Sequence, residues 1–438
     1  YLFIRRESLL LWGIVAVIVV MLLIFLKGRM FENVLMFISG CMTLMLVVTG
    51  VSIVVTNPPE KESTQLYVTQ KDEFTMSQKE NFVILVLDSF DSREFTELLS
   101  EHPEYRETFA DFTYFENMTA AYSCTKRSIP FILGGDWYEN QGSFTEYMNG
   151  VYSGSPLFTA LKERGYLIDL YEDELYTRDE NALSDFDNII IANYYVNSWI
   201  RLVKQELKLV GFRYAPFDLK RFCMTKKSGF DEEILVDCGY KGFNSENYYF
   251  KGDLEDNEIV MDDTQKRFKF IHLVGAHTPF IYDSDCNIID MKDGTYEQNA
   301  EASITLAAMY IDALKKSGAY DDTALIIMAD HGYNGDYTSE YEFMRQAALF
   351  LVKGRGETHD TMQTSQIPVA YEDLPVAYER LMDGERSNGI FDWQENDSRE
   401  RRFLYYDFNK EDIMIEYIQT GHAQDMTTMV PTGRVFTR

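Results

Sequence analysis

In Ala324-Leu325-Ile326-Ile327-Met328-Ala329-Asp330-His331-Gly332-Tyr333-Asn334-Gly335, an uncharged apolar run ends in an acid, an imidazole and glycines. Asp321-Asp322-Thr323 leads into it. A short run of this kind reads as a strand buried on both faces, which puts Asp330 and His331 at its carboxyl end. Open α/β sheets carry their chemistry at that edge. An adjacent carboxylate and imidazole offer one hard oxygen and one nitrogen, a donor pair that suits zinc or manganese. Gly332 is expected to let the backbone turn sharply. Alone, the triplet also reads as an ordinary strand-end turn, so a metal site requires partners elsewhere.

The 438 residues suffice for one large domain with additions or for two domains. With 46% hydrophobic and 25% charged residues, the chain is globular and not disordered. A formal charge of −29 excludes a nucleic-acid role, because neutralising phosphates requires basic surface. The five cysteines form no C-x-x-C pair. Cys223 and Cys238 could close a loop in an oxidising compartment, free thiols being the simpler reading.

Outward from the central stretch, the N-terminal part holds two apolar runs, Leu9–Leu26 and Val34–Val55, separated by Lys27-Gly28-Arg29. Each can cross a hydrocarbon core of about 30 Å as a helix. Residues 1–56 are therefore read as two transmembrane helices, and a start at Tyr1 leads to the expectation of further spans upstream. Arg5 and Arg6 balance Lys27 and Arg29, so charge leaves the orientation tied. Residues 57–80, with Asn57-Pro58-Pro59, are read as a juxtamembrane linker.

Residues 81–438 read as a soluble α/β domain with a mostly parallel central sheet and helices on both faces. The pattern predicts strands at Phe82–Leu87, Asp111–Glu116, Tyr166–Tyr171, Asn188–Ala192, Arg267–Val274 and Ala347–Val352. It predicts helices at Asp91–Ser100, at Thr125–Leu133 with Thr125 as N-cap, and at Pro156–Arg164, Glu297–Lys316 and Pro368–Met382. Arg402–Phe408 and Ile413–Gln419 alternate as a small antiparallel sheet would. Trp199–Asp263 has no clear period and is read as an insertion with helical pieces.

Three further stretches carry candidate chemistry. Asp88 ends the first strand of the domain and is either a second hard metal ligand or an N-cap for the next helix. In Ser123-Cys124-Thr125-Lys126-Arg127-Ser128, a hydroxyl at a helix start could be a nucleophile, with Ser123 and Cys124 as rivals to Thr125. Lys126 and Arg127 could face a phosphate. His277 follows a strand and precedes a proline turn, a place for contacting a ligand oxygen or protonating a leaving group. His272 lies inside the strand and is read as a satisfied core histidine, and His359 and His422 as surface residues.

The order of Asp88, Thr125, Gly275-Ala276-His277-Thr278-Pro279 and Asp330-His331-Gly332 resembles the alkaline phosphatase superfamily, in its membrane-anchored sulfatase-like branch. That branch contains lipoteichoic acid synthases and phosphoethanolamine transferases. The resemblance runs from Asn81 to Leu381 and is most specific across Gly318–Gly332. It implies an alkaline phosphatase-like fold and a domain outside the cytoplasm on a cell membrane. One divalent metal ion, zinc or manganese, would be held by Asp88, Thr125, Asp330 and His331. Thr125, five residues before Pro130 and nine before Gly134 as the family nucleophile stands, is preferred over Cys124. His277 and Arg127 are implied substrate contacts. Sulfatases need C-x-P-x-R, whereas Cys124 is followed by Thr125-Lys126-Arg127-Ser128, so sulfate ester hydrolysis is disfavoured. Asp88 stands where the transferases often carry Glu. The implied activity moves phosphoglycerol or phosphoethanolamine from a phospholipid donor, through a phosphothreonine, to an envelope glycan or lipid acceptor. The alternatives are a membrane-anchored phosphodiesterase or sulfatase-type hydrolase, or a non-catalytic glycan-binding member.

Overall fold

A computed structural model describes residues 2–25, 28–56, 64–173, 175–177, 179–225, 228–231, 233–237, 239–335, 344–407 and 413–437. The chain divides into two compact units, Tyr1–Gln65 with Ile191–Gly239, and Leu66–Ile190 with Tyr240–Arg438.

The larger unit is built on a seven-stranded sheet. In chain order its strands are β1 (Asn81–Leu87), β2 (Thr113–Phe115), β3 (Tyr166–Tyr171), β4 (Lys266–Leu273), β5 (Thr323–Met328), β6 (Phe350–Lys353) and β7 (Gln363–Ser365). They lie in the order β7-β2-β6-β5-β1-β4-β3, and only β6 pairs antiparallel to its neighbours. Every residue of β1 and β5 is buried, as the apolar runs after Asn81 and Thr323 require of strands covered on both faces.

Two groups of helices cover the sheet. One joins α3 (Ser92–Glu101) and α6 (Tyr296–Ser317) with Asn247–Asp256. The other joins α4 (Thr125–Gly134) with Phe144–Gly154, Pro156–Glu163 and Leu374–Met382. Thr295 and Gln298 form a capping box at the start of α6, and Gly318 ends it at a φ of 82°.

A C-terminal antiparallel sheet follows, β8 (Arg401–Asp407), β9 (Ile413–Gln419) and β10 (Met429–Phe436). The third strand escapes sequence reading because it lies mostly exposed and carries Pro431 and Gly433, so it shows no alternation.

Three expectations are corrected. The linker expected at 57–80 is folded from Thr64, since Thr64–Val68 and Thr75–Ser77 are strands; residues 57–63 lie outside the described residues. Thr75–Ser77 pairs in parallel with Val260–Asp262, and Met76 and Ser77 are buried, so the chain joins the domain before Asn81. The stretch Trp199–Asp263 is not one insertion, because Tyr240 onward belongs to the larger unit. The helix expected over Pro368–Met382 begins only at Leu374; Val369–Ala370 is a short strand, and the Ala370 N–H donates to Asp373 Oδ2 at 2.9 Å.

The smaller unit contains α1 (Leu2–Phe25), α2 (Arg29–Thr56) and α5 (Trp199–Tyr214). Helices α1 and α2 are long and apolar enough to cross a bilayer. A disulfide between Cys223 and Cys238 falls on Cys238, outside the described residues.

Candidate functional site

In the β1–β5 ladder, Met328 lies opposite Val86. Asp330 and Asp88, each two residues further on, therefore leave the same edge of the sheet. In the β1–β4 ladder Val86 also faces His272, which brings an imidazole to that edge. Asp88, His272 and Asp330 are buried, and each presents one ligand atom within 4.8 Å of the others. His331 completes the group, with Nε2 at 3.4 Å from Asp330 Oδ2 and 3.8 Å from Asp88 Oδ1. Its Nδ1 donates to Gly332 O at 2.8 Å, which leaves the Nε2 lone pair of the neutral ring facing the carboxylates.

Local backbone contacts fix these groups. Asp330 Oδ1 accepts the N–H groups of Ser89 at 3.0 Å and His331 at 2.8 Å. Asp91, not Asp88, caps α3, accepting the Arg93 N–H at 2.9 Å. Asp88 is thus free of capping and takes a hydrogen bond from Ser89 Oγ at 2.9 Å. Gly275, at a φ of 59°, lets β4 approach so closely that a Cβ would stand 2.5 Å from Asp88 N. The side chain of Asn247 clamps Gly275 with two bonds of 2.8 Å. Gly332 is needed for space more than for the backbone freedom expected of it, since a Cβ there would meet Ala347 O at 2.4 Å.

Thr125 is the first residue of α4, and the N-cap is Cys124, whose side chain makes no capping bond. The expected Thr125 cap is therefore corrected. Its Oγ1 donates instead to Asp88 Oδ2 at 3.3 Å. The rival groups are occupied or sequestered. Ser123 Oγ accepts the Tyr406 N–H at 2.9 Å, and burial pushes the Cys124 thiol up to about 12. Arg127 is buried, its guanidinium 4.2 Å from the Phe144 ring centroid and 4.7 Å from that of Tyr138, with a 3.4 Å bond to Asn140 Oδ1. It stacks in an aromatic wall because its flat, weakly hydrated faces suit rings. His277 is partly exposed and its Nδ1 donates to Thr278 O at 2.6 Å. His359 pairs with Glu357 and His422 with Gln366, both partly exposed.

His272 is the residue that sequence reading misplaced. Its Nδ1 bonds Glu172 Oε2 at 2.8 Å, but its Nε2, 3.9 Å from Asp88 Oδ2, is buried without a hydrogen bond among the described residues. It is not satisfied, because one nitrogen is held while the other is aimed into the cluster. Glu172 directly follows strand β3, the same strand-end position as Asp88, and that was the available signal.

The electrostatics fit a cation. Burial, and then Asp330, push Asp88 well above the usual carboxylate range. Burial also works against charge on Asp330, but His331 and His272 outweigh it and hold that carboxyl low. Burial opposes charge on His272 too, yet Glu172 foremost raises it to about 10, while burial holds His331 below its ordinary value. Two buried carboxylates that cannot both ionise without added positive charge, with Asp330 Oδ2 and His272 Nε2 lacking hydrogen bonds among the described residues, suit a divalent metal.

A family model described as Sulfatase matches residues 80–366. No curated protein matches the chain. Among solved structures the chain is similar to Ps i-CgsB in complex with k-i-k-neocarrahexaose, at 14% identity over 78% of this chain and 82% of that one, with a TM-score of 0.47. It is also similar to a protein in the alkaline phosphatase superfamily from Vibrio parahaemolyticus, at 16% identity over 86% and 82%, TM-score 0.45. A third is the lipoteichoic acid synthase LtaP from Listeria monocytogenes, at 12% identity over 80% and 88%, TM-score 0.45.

Proposed function

We propose that this chain, which belongs to the sulfatase family, transfers phosphoglycerol or phosphoethanolamine from a phospholipid to a hydroxyl of an envelope glycan or lipid. The observation that carries the reading is the Thr125 hydroxyl, at the open N-terminus of α4 and 3.3 Å from Asp88 Oδ2. Asp88, Asp330, His331 and His272, with Thr125 Oγ1, would hold one divalent cation, which when bound neutralises phosphoryl charge and lowers the threonine pKa.

Thr125 Oγ1 passes its hydrogen toward Asp88 Oδ2 and forms a bond to phosphorus, while the phosphorus–oxygen bond to diacylglycerol breaks. The first-turn N–H groups of α4 face the phosphoryl oxygens, as a helix start does for an anion. His277 gives a proton to the departing glycerol oxygen. In the second half-reaction the acceptor hydroxyl gives its proton to His277 as its oxygen bonds phosphorus, and Thr125 Oγ1 leaves with the proton returned from Asp88. Helices α1 and α2 tether the domain to the membrane that supplies the donor, and the domain works on the outer side. A threonine is chemically inert to the aldehyde conversion that sulfate ester cleavage needs, and the flanking residues lack C-x-P-x-R.

The test is intact-mass analysis of the metal-loaded protein after incubation with phosphatidylglycerol or phosphatidylethanolamine. A phosphoglycerol or phosphoethanolamine adduct mapped to Thr125 supports transfer and names the donor. An adduct on Ser123 or Cys124, or head group released with no acceptor product in the presence of acceptor glycan, overturns it.

A further inference from the structure

We propose that α5 lies in the surface of the bilayer and binds anionic phospholipid, as a second membrane contact distinct from the two spanning helices. Helix α5 has no buried residue. Trp199, Val203, Leu207, Val210 and Tyr214 recur at i, i+4, i+8, i+11 and i+15, which places them on one face. These five are 50% to 69% exposed, and Ile200 beside them is 84% exposed. A helix of a soluble domain buries such a stripe; one left open and backed by cations is built for an interface.

The opposite arc carries Arg201, Lys204 and Lys208. From Trp199 to Cys223 six cations stand against Glu206 and Asp218, and with Arg201 taken up by Glu233 at 3.1 Å the other five still outnumber these acids in a chain whose formal charge is −29. Charge of this sign in an acidic protein points to an anionic partner.

Position argues that the partner is the bilayer. Just after α5, the Phe217 N–H donates to Ser8 Oγ at 2.9 Å, and Asp218 Oδ1 pairs with Arg5 Nε at 2.9 Å. Arg5 and Ser8 stand where the apolar run of α1 begins, so this segment is held at the water boundary of the span. A recess of about 430 Å³ lined by Arg5, Arg6, Leu9 and Leu10 lies at the same level and pairs cations with acyl-compatible side chains. Two successive spans return the chain to the side on which it started, so Arg5 and the chain beyond Thr56 emerge on one side.

The inference rests on α1 and α2 crossing the membrane. The experiment is amide hydrogen exchange on the full chain in nanodiscs of phosphatidylcholine, with and without phosphatidylglycerol. Slow exchange in α1 and α2 in both discs checks the spanning reading separately. Expected is slowed exchange across Trp199–Tyr214 in phosphatidylglycerol discs, with quenching of Trp199 by brominated lipid read against Trp199→Phe. The double variant Lys204→Gln, Lys208→Gln, which leaves the Arg201–Glu233 ion pair in place, should lose about twenty-fivefold of that protection, a cation near an anionic surface being worth about a factor of five. Exchange across β4 should stay unchanged in the variant, which separates lost docking from lost folding. Exchange in α5 that ignores phosphatidylglycerol or the double variant, or protection that rises with protein concentration as a second copy would give, overturns the proposal.

Discussion

His272 Nδ1 donates to Glu172 Oε2 at 2.8 Å, and that bond turns His272 Nε2 toward Asp88 Oδ2, 3.9 Å away. The pair is a carboxylate–imidazole couple pointed at a metal site, in which the outer carboxylate fixes ring orientation and raises ligand basicity. Glu172→Gln should therefore weaken zinc or manganese binding by about 10- to 100-fold with the fold intact. Calorimetric metal titration alongside a thermal melt in chelator checks it. Unchanged metal affinity would place His272 outside the ligand set.

Thr125→Ala should abolish the phosphoryl adduct and lower transfer by on the order of a thousandfold or more, as losing a nucleophile does. Thr125→Ser should keep the adduct, and so should Cys124→Ala, since that thiol is buried with its pKa near 12. Peptide mapping after incubation with phospholipid reads all three.

Gly275→Ala combines a left-handed φ of 59° with a Cβ 2.5 Å from Asp88 N. The expected cost is about 2 to 4 kcal/mol of stability. Because the clash falls on the backbone of Asp88, metal affinity should fall in the same variant. Chemical denaturation and metal titration measured together would show whether the two losses are coupled.

Outside the candidate metal site, Glu73 is pushed up to about 8 by burial and then by Asp253, against Lys269 and the Gln70 hydrogen bond. Its proton is held more tightly in the folded chain than in the unfolded one, where the carboxyl sits near 4.5. The stability it contributes is full below about pH 4.5 and is lost as pH rises toward 8, by on the order of a few kcal/mol. Glu73→Gln should flatten that part of the profile. Denaturant midpoints of both proteins across this range check the sign, and a wild-type midpoint that rises with pH relative to the variant would refute it.

Much of the site was legible because its strands are local signals. Phe82–Leu87 and Ala324–Ala329 are apolar without interruption, so their ends, Asp88 and Asp330, can be read without knowing their neighbours. The Tyr166–Tyr171 and Ile413–Gln419 strands also match residue for residue, although Asp169 and Glu416 interrupt their apolar composition. Where the pattern is mixed, reading failed. Thr64–Val68 and Thr75–Ser77 look like linker, since three- to five-residue strands in polar sequence carry no period of their own.

The amino-acid sequence by itself determined two apolar helices of membrane length, a central sheet with acids at strand ends, and a threonine opening a helix. Only the tertiary structure decided which strand ends meet. Parallel register sets Val86 opposite both Met328 and His272, so residues 242 and 186 positions away from it in the chain reach one edge. It also decided that His272 faces the cluster instead of the core, because its partner Glu172 lies 100 residues away, just past the end of another strand. Periodicity reports whether a side chain is buried; what it is buried against is fixed by strand pairing, which no local pattern encodes.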